Sequence, residues 1–94
     1  MNTKNKKNNI QKVKQIFTKR EIEYLAFLAH GYHNSQIALK LSVTLSTVKK
    51  TIEVIFRKLN AKDRANAVAI GFILGILNAD IMSKIAEKYN FNAM

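Results

Sequence analysis

Residues 44–60 read TLSTVKKTIEVIFRKLN, and the way this stretch divides decides the fold. Val48, Ile52, Ile55 and Leu59 recur at steps of four, three and four, the spacing that places apolar side chains on one face of an α-helix. Ser46, Lys49, Lys50, Glu53 and Arg57 fall on the other side. Thr44 is placed to cap the first exposed amides, with Thr47 at the third helical position. The stretch therefore predicts a helix from Leu45 to Asn60, with one face for a core and one carrying hydroxyls, cations and a carboxylate.

Working back from Thr44, Ser42 and Val43 form a tight connection to a short helix over Asn34 to Leu41, with Ile37, Ala38 and Leu41 facing inward. Before that, Thr18 and Glu21 have the three-residue spacing of a capping box, in which each side chain satisfies an amide near the other. They open a helix whose apolar residues are Ile22, Leu25, Phe27 and Leu28, and Gly31 ends it. Working forward, Ala61 to Asp63 connect to a helix predicted over Arg64 to Leu77. That helix is apolar almost all round and must be covered on more than one side. Ile81, Ile85 and Tyr89 at steps of four then predict a short amphipathic helix over Asp80 to Tyr89. The expected fold class is all-α: a tetrahelical helix-turn-helix domain over 17–77, a basic arm over 1–16, and an amphipathic extension over 78–94.

Charge narrows the partners. The 94 residues hold 16 Lys and Arg against 6 Asp and Glu, a formal net charge of +10. Nucleic acid, an anionic membrane or an acidic protein would all be attracted. The longest apolar run, Ala67 to Leu77, is too short to span a bilayer, and no apolar signal core follows the basic start. The expected location is the cytoplasm. With no cysteine, neither a disulfide framework nor a thiolate metal site can form.

Two short helices joined by a tight turn, the second with a wet face rich in Lys, Ser and Thr, make a helix-turn-helix pattern. The major groove accepts one α-helix, and a helix entering it presents polar groups near its beginning. Lys49 and Lys50 sit where such a helix reads bases, since Lys donates to the O6 and N7 acceptors of guanine. Glu53, one turn on, can accept from a cytosine amino group. Ser46, Thr47, Arg57 and Lys58 are placed for phosphates, which fix register without reading sequence.

The stretch Phe17-Thr18-Lys19-Arg20-Glu21-Ile22-Glu23-Tyr24-Leu25 resembles the opening of the LuxR-type, also called NarL- or GerE-type, DNA-binding domain. The resemblance continues through Gly31, Asn34, Ile37-Ala38, Leu41, Thr47-Val48-Lys49, Ile55, Lys58-Leu59, Arg64 and Ala67-Val68, without gaps. It implies four helices, the third entering the major groove and the fourth mediating dimer contact, with Lys49, Lys50 and Glu53 as base readers. It also implies a stand-alone regulator of transcription, because only sixteen residues precede the module. Three positions depart from the family pattern. His33 replaces a Ser or Thr cap, Ser35 a common Lys, and Thr51 a frequent His.

Ala67, Gly71 and Gly75 stand at steps of four on the expected fourth helix, with Ile70, Phe72 and Leu74 beside them. Small residues on one stripe let a second backbone approach, so a twofold homodimer is expected there, its reading helices about 34 Å apart on duplex DNA. The other reading has the glycines fit this helix against the first within one molecule. The terminal helix can extend the dimer interface, fold back on its own domain or bind a separate regulator. A contact with RNA polymerase is a further expected partnership. His30 and His33 have no third ligand near them, so no metal site is assigned. Glu21 and Glu23 read as a cap and an ion-pair group, and neither a cofactor nor catalysis is expected. The rival reading is a helical protein–protein interaction module that acts on another regulator or on the polymerase.

Overall fold

The first helix is the hub on which three of the other four pack. In the computed structural model, which describes residues 16–91, α1 runs over Lys19–Ala29. It is followed by α2 (Asn34–Leu41), α3 (Leu45–Leu59), α4 (Arg64–Ile73) and α5 (Ala79–Tyr89). Among the described residues there is no strand. Of the expected arm over 1–16, all but Ile16 lies outside the described residues, as do the last three residues of the extension.

The capping box forms as its spacing predicts. Thr18 Oγ1 accepts the Glu21 amide at 3.0 Å, and Glu21 Oε1 accepts the Thr18 amide at 2.8 Å. Every residue from Glu23 to Leu28 is buried, so α1 is enclosed on all sides rather than amphipathic. It packs against α3, α4 and α5. Gly31 turns the chain at a φ of +90°, open to glycine and strained for other residues.

The fourth helix is shorter than expected. It ends at Ile73, and Gly75 leaves it with a φ of +74°. Ile76 and Leu77 form no further turn of α4, yet both are buried. An unbroken apolar run does not by itself separate helix from a buried turn. This corrects the expected stripe of small residues. Ala67 and Gly71 face inward, and a Cβ added at Gly71 would lie 2.8 Å from Leu25 Cδ2. Gly71 thus lets α4 approach α1 within one molecule. Gly75 stands outside the helix, and Ile70 and Leu74 are half-buried.

The terminal helix folds back on its own domain. Asn78 caps α5 by accepting the Ile81 amide at 2.8 Å, and Ile85 buries against the core. Glu23 on α1 accepts from Lys88 Nζ at 2.6 Å and from the Tyr89 hydroxyl at 2.7 Å. Lys40 on α2 donates to the carbonyls of Tyr89 and Asn90 at 2.9 and 3.2 Å, a cation at the negative end of α5. Beyond it Phe91 lies among Phe27, His30 and Tyr32, and the Tyr32 hydroxyl donates to the Phe91 carbonyl at 3.0 Å.

Burial pushes the Glu23 carboxyl up, but the hydrogen bonds from Lys88 and Tyr89 and the charges of Lys88 and Arg20 outweigh it. They hold the group below the ordinary value of 4.5. Glu21 is held low in the same way, its burial outweighed by Lys58 and the Thr18 cap. A carboxylate with a lowered folded pKa stabilises the fold fully above the unfolded value and loses that contribution as pH falls through the folded one. Thermal unfolding followed by circular dichroism is therefore expected to show stability falling as pH drops below 4.5. Glu23→Gln should flatten that fall and lower stability at neutral pH by about 1–2 kcal/mol.

Candidate nucleic-acid interface

Three features fix α3. Val48, Ile52, Ile55 and Leu59 are all buried, so the seam predicted from the sequence is the seam that packs. At its start, Thr44 Oγ1 accepts the Thr47 amide at 3.1 Å and donates to Thr47 Oγ1 at 2.9 Å. At its end, Asn60 adopts the left-handed conformation, with a φ of +52°. Asn tolerates that region better than most residues, because its short polar side chain can hydrogen-bond locally.

The turn between α2 and α3 is tight for a backbone reason. Ser42 takes a φ of +56°, and the Val43 amide reaches back to the Ala38 carbonyl at 3.0 Å. This closes α2 and starts α3 within three residues. At the start of α2, His33 gives no side-chain cap. Gln36 Oε1 instead accepts the His33 amide at 2.8 Å, so one half of a capping box replaces the expected Ser or Thr. Arg64 braces the same loop, donating to the Tyr32 carbonyl at 2.6 Å and to Asn34 Oδ1 at 2.7 Å.

With the seam inward, the opposite face is fully wet. Ser46, Thr47, Lys49, Lys50, Glu53 and Arg57 are all exposed. At 100° per residue, Ser46, Lys49, Lys50, Glu53 and Arg57 occupy one sector roughly 100° wide, and Ser46 to Arg57 spans roughly 16 Å of helix axis. Among the described residues, no salt bridge engages Lys49, Lys50, Glu53 or Arg57. Their charges stay available to an outside partner. Thr51 is drawn back onto its own helix, its hydroxyl donating to the Thr47 carbonyl at 2.9 Å. Leu45, at the first turn of α3, is 42% exposed. Nothing in the local spacing marks it, yet an exposed aliphatic group there suits apolar contact with a thymine methyl.

Lys58, expected among the phosphate contacts, is engaged within the molecule. Its ammonium donates to Glu21 Oε1 at 2.8 Å, Glu21 Oε2 at 3.0 Å and the Ile16 carbonyl at 2.7 Å, and it lies 5.5 Å from the centre of the Phe17 ring. Lys58 therefore ties the end of α3 to the capping box of α1. The partners are 37 residues apart, so no local spacing could have revealed this bond.

Elsewhere, α4 exposes Ala69, Phe72 and Ile73, the last at 78%. Among the described residues, no group of three His, Cys, Asp or Glu side chains gathers to hold a metal ion, and no helix is long and apolar enough to cross a membrane.

Residues 15–70 match the family model described as bacterial regulatory proteins, luxR family. Over 67 residues the chain is 43% identical to an uncharacterized transcriptional regulatory protein, YxjL, of Bacillus subtilis (strain 168), covering 71% of this chain and 31% of that one. It is 40% identical over 58 residues to the response regulator protein VraR of Staphylococcus aureus (strain Mu3 / ATCC 700698), covering 62% of this chain and 28% of that one. The chain thus spans about a third of the length of these curated relatives. No solved structure matches it significantly.

Replacing Lys58 tests its reassignment. Lys58→Ala is expected to lower unfolding stability by about 1–2 kcal/mol, because Glu21 loses a charged partner. The salt dependence of DNA binding should stay unchanged, as measured by binding titrations across a range of salt concentrations.

Proposed function

The chain belongs to the luxR family of bacterial regulatory proteins, and on that premise we propose that it binds duplex DNA sequence-specifically with the outer face of α3 in the major groove. The observation that carries this reading is the set of exposed, unpaired charges at Lys49, Lys50, Glu53 and Arg57, held outward by a buried seam on the same helix. Lys49 and Lys50 donate to guanine edges and Glu53 accepts from cytosine. Ser46, Thr47 and Arg57 hold phosphates and so set the register. The reading unit is residues 17–77, with α5 and Phe91 of the extension as its brace. Its output is regulation of transcription.

A twofold dimer completes the proposal, with Phe72 kept in the contact and the small-residue stripe left out of it. Since Ala67 and Gly71 are consumed by packing on α1, the contact falls on the outer face of α4, around Ala69, Phe72 and Ile73. An apolar strip of this kind on a small domain suits a self-complementary contact, which twofold symmetry closes. Two copies then present their α3 helices to half-sites about 34 Å apart.

Variants separate the roles. Lys49→Ala or Lys50→Ala should cost about 1–3 kcal/mol at one base position and relax selectivity there, whereas Arg57→Ala should weaken all sequences alike and reduce the salt slope by about one. Binding to a selected duplex and its single-base variants measures both. Unchanged selectivity in the two lysine variants would remove them as readers. For the dimer, Ile73→Asp should leave a folded monomer in sedimentation and weaken binding to a two-half-site duplex more than to a single half-site. Equal loss on both duplexes would place the contact elsewhere.

A further inference from the structure

A groove of about 480 Å³ runs between α1 and α5, away from the side chains assigned to DNA. Ile22, Ile81 and Ile85 line it, the first two half-buried and the third buried. Lys19, Lys84 and Lys88 stand exposed around these isoleucines. We propose that this groove binds a single-chain amphiphilic anion, a free fatty-acyl carboxylate, with its alkyl chain on the isoleucines and its head group between Lys19 and Lys84.

The charge around the groove argues for an anion. Glu23 is the carboxylate in its lining, and both its oxygens are taken, one by Lys88 and the other by Tyr89. Lys84 meets Asp80 at 3.1 Å, but both side chains are about three-quarters exposed, and such a pair exchanges readily for another partner. Among the described residues, no salt bridge engages Lys19. Two ammonium groups are thus free, or nearly so, beside a strip of apolar surface.

Other occupants fit less well. Residues 1–15 carry five lysines and no acid, so the chain's own start would be repelled. A second copy is assigned to the outer face of α4, around Ala69, Phe72 and Ile73, which leaves this groove uncovered. The volume lies in the range of small-ligand pockets, roughly 300–1,000 Å³. Three isoleucines give an alkyl chain continuous contact but offer little area to a docking helix.

The site does not depend on the reading of DNA, and its test uses the full chain without DNA. Dodecanoate, kept below its micelle concentration, is titrated into protein with labelled isoleucine methyls and followed by NMR. Shifts should concentrate at Ile22, Ile81 and Ile85 and spare Ile73. Dodecyltrimethylammonium, with the same chain length and the opposite charge, should bind at least tenfold more weakly. Lys19→Glu combined with Lys84→Glu should cut dodecanoate affinity at least tenfold with an unchanged circular dichroism spectrum. The proposal is overturned by equal binding of anion and cation, or by shifts scattered over the molecule. It is equally overturned if an acidic amphipathic peptide or anionic phosphatidylglycerol vesicles move these methyls while dodecanoate does not.

Discussion

The burial of one seam on α3 sets everything the protein can present to a partner. Val48, Ile52, Ile55 and Leu59 leave water together, each contributing about 1.5–3 kcal/mol if fully buried. A typical hydrogen bond contributes about 0.5–1.5 kcal/mol net. No polar contact on the outer face can therefore rotate the helix against its seam. The lysines and the glutamate face outward because four aliphatic side chains cannot. Rigid presentation matters for reading, since a base-contacting group must arrive in register with edges fixed by the double helix.

Two buried carboxylates on α1 complete the frame. Glu21 takes the Thr18 amide and Lys58, joining the start of α1 to the end of α3. Glu23, two residues on, takes Lys88 and Tyr89 and joins α1 to α5. A buried charge is costly unless paired and hydrogen-bonded, and here each has partners from a different helix. Among the described residues, no buried side-chain polar atom lacks a partner. The terminal helix thus braces α1, and through Lys40 also α2, the helix that positions the turn into α3.

What was legible in the sequence was what depends on near neighbours. The Thr18–Glu21 box, the Thr44 cap and the α3 seam are set by spacings of three and four residues, and each appears where it was expected. The same local reading failed at the end of α4. Gly75, Ile76 and Leu77 continue an apolar run, and only the packing of Ile76 and Leu77 into the core distinguishes a turn there from another helical turn. Gly71 looked like a contact for a second molecule because its neighbour Leu25 is 46 positions away in the chain. Lys58 looked free for the same reason. The Ser or Thr cap that His33 replaces is made up for by Gln36, a capping residue that sat unremarked at the right spacing. The fold-back of the extension rests on Glu23, Lys40 and Phe91, all pairings at long range.

The chain has no cysteine, so a single introduced thiol reports unambiguously on what lies beside it. The most direct measurement is disulfide cross-linking to a duplex that carries a thiol tethered to a base in the major groove of its selected site. Lys50→Cys or Ser46→Cys on α3 should cross-link rapidly, and Ser83→Cys on exposed α5 should not. Cross-linking from Ser83→Cys, with none from positions 46 or 50, would mean that a different surface meets the DNA.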